Sequence, residues 1–313
     1  MSAAVDAPAT LPFAVEFGRP VTTVTPSSRG CGLELHIPVL GGKAREVLFP
    51  QPVRGQAGAG LQLFPSDGLL LGCVTEPVAD ERALVRQTQD LYRRVLTAVR
   101  GHHLYRIWNY VPRINALNDG FENYRAFCQG RSLAFEDEAG AGFPRVLPAA
   151  SGVGTADGHL SLIFVAGTAL PRHIENPEQV PAYRYPLEHG PRPPSFSRAT
   201  VVSLPDRTLT FISGTAAIKG HLTVAPGALA AQLDCTLDNL RLISSAAGLG
   251  EDLGAGRALR RHFKVYVRHA EDLPAVQARL ERSLLKPTDH VIYLQADICR
   301  AELIVEIEAT LLG

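Results

Sequence analysis

Charge of one sign is what this 313-residue sequence most plainly lacks, with 31 Lys and Arg balancing 31 Asp and Glu. A chain without net charge carries no electrostatic footprint for nucleic acid or an anionic membrane surface. Cysteine is scarce too. Cys31, Cys73, Cys128, Cys235 and Cys299 are odd in number and far apart, and no CxxC occurs. That pattern writes neither a zinc ribbon nor a dithiol redox motif, and it fits a reduced, cytoplasmic compartment. No segment reaches the roughly 18 uninterrupted apolar residues of a membrane span. The opening MSAAVDAPATLPF has neither the basic start nor the apolar core of a secretory signal, and reads as a short flexible tail. His102-His103 belong to no HExxH, Leu40-Gly41-Gly42-Lys43-Ala44 lacks P-loop spacing, and Gly152-Val153-Gly154 does not open a dinucleotide-binding helix. The expectation is a protein with no cofactor, no bound metal, no nucleic-acid partner and no membrane.

What is present is a core large enough for two units: 46% of the residues are apolar, and single cores stop growing near about 250 residues. The clearest periodicities lie in the C-terminal half. Arg207–Ser213 reads as a strand ending at Ser213-Gly214-Thr215. Leu229, Leu233, Leu237, Leu240 and Ile243 follow at helical spacing, with Gly248 and Gly250 as a stop. Phe263, Val265 and Val267 alternate as in a strand. Leu273, Val276, Leu280 and Leu284 mark a second helix, and two strands, His290–Ala296 and Leu303–Leu311, close the unit. The first half repeats this order. Leu69–Gly72 is a strand, Asp80 caps a helix carrying Leu84, Leu91 and Val95, Leu104–Trp108 is a strand, Phe121 to Cys128 begin a helix, and Leu160–Leu170 is a strand. Aligning LSLIFVAGTAL with ELIVEIEATL sets Val165 opposite Glu306. Gly72 then precedes Val165 by 93 positions and Gly214 precedes Glu306 by 92. The reading is a diverged internal repeat: an α+β fold of two related units packed side by side, residues 1–190 and 191–313. A proline-rich connector near 172–200 carries Tyr183, Arg184, Tyr185, Phe196 and Arg198, an odd cargo for solvent.

Glu306 and Glu308 stand on one face of an apolar strand, because strand side chains alternate. A solvated edge face would show this pattern. So would a carboxyl group in an apolar site, whose raised pKa lets it act as an acid near neutral pH. Val165 at the matching position of the first unit is what a duplicated scaffold with one site would leave.

Several strings narrow the reading. Ser213-Gly214, Gln232 in its helix and Glu306-Ile307-Glu308-Ala309 make the second unit resemble the RidA/YjgF superfamily, with its chorismate-mutase-like layers. RIWNYVPRIN (106–115), YRAFCQGR (124–131), PAASGVG (148–154), AYRYP (182–186), PSFSRA (194–199), SGTA (213–216) and DICR (297–300) are similar to the chorismatase / 3-hydroxybenzoate synthase family. They cover about two thirds of the chain, from residue 106 onward.

The resemblance implies a cofactor-independent enzyme that cleaves chorismate into pyruvate and 3-hydroxybenzoate, with 4-hydroxybenzoate as a further product. Glu306 would be the catalytic acid/base. Cys299, placed on the strand beside Glu306, and Gly214 would direct the product. Arg131 and Arg198 would hold the carboxylates of the dianion, since guanidinium forks meet carboxylates bidentately. Tyr124 and Tyr183 would add phenol hydrogen bonds, and backbone N–H groups at Gly214-Thr215 would act as oxyanion donors. Three other readings stay open: hydrolysis of chorismate to a dihydroxycyclohexadiene acid, a RidA-like imine deaminase, and a small-ligand binder without turnover. The C-terminal strand lacks an arginine of the kind a deaminase would use. Two units in one chain are compatible with a monomer.

Overall fold

The computed structural model describes residues 11–27, 30–53, 55–58 and 60–313. Four helices, α1 (Leu84–Ala98), α2 (Asn123–Ala139), α3 (Leu229–Ala246) and α4 (Leu273–Ser283), pack on two main sheets. α1 forms because Leu84, Thr88, Leu91, Tyr92 and Val95 recur on one buried stripe. Asp80 starts this segment, its side chain accepting from the Arg82 N–H at 3.0 Å. α3 ends where Gly248 adopts φ +81°, a conformation that favours glycine.

Topology makes the repeat explicit. The first main sheet has the strand order 149–155, 103–112, 159–167, 69–77, 61–66, 56–58. The second has the order 290–295, 260–267, 305–312, 208–215, 199–203, 172–174. The first pair is parallel and every later pair antiparallel in both sheets. α1 and α3 follow strands 69–77 and 208–215; α2 and α4 follow strands 103–112 and 260–267. The fold is therefore α+β with two related units. Arg172–Ile174 pairs with Ala199–Ser203 at one edge of the second sheet.

The two sheets face each other, with helices outside. One apolar cluster lies between them, including Leu71, Trp108, Tyr110, Val165, Phe211 and Tyr266. Two further clusters lie under the helices, one around Tyr92, Phe127 and Phe164, the other around Leu240, Val265 and Ile307. Side-chain parity assigns Glu306 and Glu308 to the inter-sheet face, since Val305 and Ile307 belong to the helix side.

An additional four-stranded sheet, of Leu11–Glu16, Thr23–Ser27, Gly30–Glu34 and Arg45–Val53, was not legible as an element. It corrects the reading of a flexible start: Phe13 is buried in the inter-sheet cluster, while residues 1–10 lie outside the described residues. Val39–Gly42 extends the second sheet beside His290–Gln295. No helix among the described residues is long and apolar enough to cross a membrane.

Gly130 lets α1 and α2 approach closely. An added Cβ would overlap the Val85 carbonyl oxygen and stand 2.8 Å from Thr88 Cβ. Gly130→Ala must separate the helices or distort α1, and should destabilise the protein by about 1–3 kcal/mol. Urea unfolding measures this, and an unchanged midpoint would contradict the tight crossing.

Candidate active site

A cavity of about 290 Å³ opens between the two units. Tyr124, Phe127 and Arg131 reach it from α2, Ser151 from the edge strand Ala149–Thr155, and Gln179, Tyr185, His189, Phe196 and Arg198 from the connector. Gly214, Cys299, Arg300 and Glu306 complete it from the second unit. The units are tied together at this rim: the Ala150 N–H donates to Ser213 Oγ at 2.9 Å, the Ser197 N–H to the Pro148 carbonyl at 3.0 Å and the Gly154 N–H to the Asp297 carbonyl at 2.8 Å.

Glu306 is 3% exposed. Burial, and secondarily the charge of Glu308, raise its carboxyl to about 8, against the weaker pull of Arg106 and Arg198. Its Oε1 has no hydrogen-bond partner among the described residues and stands against Gly214. An oxygen left this bare suits a neutral acid, because a buried carboxylate would need donors on both oxygens.

Glu308, two residues on and equally buried, is the opposite case. Its carboxylate accepts from Arg106 Nη2 at 2.7 Å and Trp108 Nε1 at 2.7 Å, and lies 2.8 Å from Lys264 Nζ. Against its own burial, Lys264 and Arg106 hold its carboxyl below the usual range. Lys264 also lies 2.8 Å from Glu46 on the N-terminal sheet. Two carboxyls on one strand face are thus pushed apart, one neutral and one ionised, the arrangement that separates an acid from an electrostatic partner.

The cavity also holds two buried arginines. Arg198 is buried, donates from Nη2 to the Tyr185 hydroxyl at 2.7 Å, and lies over the Phe196 ring at 5.0 Å. Arg131 is buried over Phe127 at 5.0 Å, with its Nε unpartnered. Neither arginine makes a close ion pair among the described residues, but Arg198 lies near Glu175, whose carboxyl is raised by burial to about 7 against the pull of Arg198. The Cys299 S–H faces Glu306 Oε2 at 4.0 Å. Burial and the adjacent Glu306 push the thiol up to about 12, so at neutral pH it is a weak donor and not a thiolate.

Six of the eight expected residues therefore surround one cavity: Glu306, Cys299, Tyr124, Arg131, Arg198 and Gly214. Tyr183 and Thr215 do not line it. Tyr183 packs outward against the helix-side core of the first unit and beside Arg184, and its neighbour Tyr185 turns inward. A register shift between Ile212 and Thr215 puts Thr215 opposite Ile307, on the helix side, with its hydroxyl donating to the Ser213 carbonyl at 2.9 Å. Cys299 also differs from expectation in its element. It lies in the bend between strands His290–Gln295 and Val305–Leu312, which are themselves separated by Arg260–Val267. Sequence reasoning missed Ser151, Gln179, Arg300 and His189. Ser151, at least, sits inside the quoted string PAASGVG.

Comparison with known proteins agrees with this geometry. Residues 48–166 match the family described as "Chorismatase FkbO/Hyg5-like, N-terminal". A chorismatase of Streptomyces hygroscopicus is 40% identical over 266 residues, covering 82% of this chain and 76% of that protein. The chain belongs to the chorismatase family. A 3-hydroxybenzoate synthase of Streptomyces hygroscopicus is 41% identical over 220 residues, 67% of this chain, and the match spans 63% of that relative's length. The crystal structure of a chorismatase superposes with a TM-score of 0.83 at 33% identity, covering 99% of this chain and 95% of that one.

Within this family fold, Gly214 is set by proximity. A Cβ there would overlap Glu306 Oε1, stand 2.6 Å from Glu306 Cδ and lie 3.2 Å from Ser151 Cβ. Gly214→Ala should drive the Glu306 carboxyl out of its pocket, lowering turnover at least tenfold rather than merely altering the product. Full turnover in this variant would show that the carboxyl does not need its place against Gly214.

Proposed function

We propose that this protein cleaves chorismate into pyruvate and a hydroxybenzoate, chiefly 3-hydroxybenzoate, without a cofactor. The observation that carries the reading is the neutral Glu306 carboxyl in a cavity that also holds the buried Arg131 and Arg198. Chorismate is a dianion bearing an enol ether. Arg131 and Arg198 would take its two carboxylates, and Glu306 would protonate the vinyl carbon.

That proton converts the CH₂ terminus to a methyl group and leaves an oxocarbenium at the ether carbon. The ring hydroxyl then attacks the neighbouring ring carbon, and the C–O bond electrons pass to the ether oxygen, releasing pyruvate as its keto form. The hydroxyl proton returns to the Glu306 carboxylate. The resulting arene oxide opens with loss of a ring proton, and the aromatic ring is restored. Chorismate equals pyruvate plus hydroxybenzoate in atoms, so no water is consumed. Glu308 stays ionised and, through its charge, supports the neutral form of Glu306.

The protonated Cys299 thiol beside Glu306 favours the aromatic course over water attack, which would give the dihydroxycyclohexadiene acid. The likeness to a 3-hydroxybenzoate synthase supports the same choice. Chromatography of the products from purified protein and chorismate decides it. A product heavier by one water than hydroxybenzoate would refute the aromatic assignment.

Glu306→Gln keeps shape and a hydrogen bond but removes the proton. General acid catalysis is worth about 10²–10⁴-fold, so kcat should fall by that order while chorismate binding survives. The acid is needed protonated, so wild-type kcat should be level below about 8 and decline as pH rises through it; Glu306→Gln should lose this limb. Stability moves the same way. A carboxyl raised in the folded state binds more protons there, so its contribution to stability falls as pH climbs from 4.5 to about 8. Near-normal pyruvate release by Glu306→Gln would remove it from the acid role.

Arg131→Ala and Arg198→Ala should each raise KM for chorismate, with a cost of about 2–5 kcal/mol if a buried charge pair is broken. Steady-state kinetics measure this, and unchanged KM in either variant takes that arginine out of substrate binding.

A further inference from the structure

Beside the cavity mouth, three potential ligand atoms converge. His189 Nε2 lies 3.0 Å from His221 Nδ1, and Glu188 Oε1 lies 3.4 Å from the first and 3.3 Å from the second. Among the described residues this is the one group of three such side chains whose ligand atoms lie within 4.8 Å of one another. A tetrahedral zinc ion with bonds of about 2.0–2.1 Å has ligand atoms about 3.3–3.4 Å apart, close to this triangle. One proton shared between the two ring nitrogens would satisfy a hydrogen bond between them. It would leave the carboxylate oxygen beside two ring nitrogens with no further proton to donate to it, and a cation relieves that conflict.

The rings are built in rather than loosely placed. Tyr185 is buried, and its ring centroid lies 5.3 Å from that of His189 and 6.4 Å from that of His221. Its hydroxyl is tied to the buried Arg198. The hairpin carrying His221 is bonded to the connector through Val180 N–H to the Gly220 carbonyl at 3.0 Å and Gly220 N–H to the Glu178 carbonyl at 2.9 Å. The Glu188 side chain is 59% exposed, so a fourth coordination position opens to solvent.

We propose that Glu188, His189 and His221 form a zinc-binding site with one open position, separate from the acid chemistry at Glu306. Histidine nitrogens with one carboxylate suit zinc and similar borderline divalent ions rather than magnesium or calcium. His189 also lines the cavity, so an ion here clamps the turn Leu187–His189 to the hairpin and fixes one wall of the entrance. Bound zinc should therefore hinder substrate entry.

The test titrates metal-stripped full-length protein with Zn²⁺ against a chromophoric chelator. One ion per chain should bind with a micromolar or tighter dissociation constant. His221→Ala and, independently, the exposed Glu188→Gln should each weaken it at least tenfold. No uptake by the wild type, or equal affinity in both variants, would overturn the site. A second arm rests on the proposed chorismate activity: zinc should raise KM several-fold in the wild type, reversibly with chelator, and leave His221→Ala unaffected. Zinc binding with no change in KM would overturn the clamp. A protein that binds zinc yet does not use chorismate would count against the proposed function alone.

Discussion

The ionised state of Glu308 is the constraint around which this molecule is organised. Its carboxylate is buried, yet it accepts from an arginine and a tryptophan of the first unit and meets a lysine of the second. The same lysine reaches Glu46 on the N-terminal sheet. One network therefore spans all three sheets. Buried ion pairs of this kind contribute little net stability against apolar replacements, but losing one partner costs roughly 3–5 kcal/mol because a charge is stranded. Their value here is positional and electrostatic. They fix how the two main sheets meet, and they place one permanent negative charge two residues from Glu306. At Glu306, burial and the charge of Glu308 outweigh the pull of Arg106 and Arg198, and the carboxyl keeps its proton.

Duplication supplied two equivalent sheets, and only one of them bears this chemistry on the strand at issue. Residues 159–167 and 305–312 occupy the same place in the same strand order. On the inter-sheet face the first shows Ile163 and Val165, the second Glu306 and Glu308. The apolar copy contributes by excluding water from the cluster that the acidic copy borders. The first unit is not passive, because Arg106, Trp108, Arg131 and Ser151 all come from it. A site assembled this way requires both units, which explains why its lining is scattered from residue 122 to residue 306.

Much of this was legible in local pattern. Helices α1, α3 and α4 follow apolar periodicity with recognisable starts and stops, and the repeat is visible in element order and spacing. The shared face of Glu306 and Glu308 follows from strand alternation alone. What sequence could not say is which carboxyl keeps its proton, since that is decided by Arg106 and Lys264, 202 and 44 positions from Glu308. The matched glycines show a similar limit. Gly72 faces Phe164 on the helix side, whereas the bulge before Thr215 turns Gly214 toward Glu306. One register shift reverses side-chain parity, so equal spacing along the chain did not mean equal placement of the two glycines. The N-terminal sheet escaped notice because prolines and glycines interrupt its strands, among them Pro12, Pro26, Gly32, Pro50 and Pro52.

The charge on the cavity wall carries a last consequence. Arg131 and Arg198 are buried without a close ion pair among the described residues, and a substrate anion would complete them. A neutral Glu306 adds no negative charge to compete with that anion, whereas an ionised one would oppose it and would no longer be an acid. On the proposed mechanism, substrate binding and proton donation would demand the same protonation state, and both would depend on the charge at Glu308. A dianion beside Glu306 would disfavour its ionisation further, while Arg131 and Arg198 would work in the opposite sense. A substrate whose carboxylates were neutralised by these arginines would leave the acid's proton available for the bond to be broken.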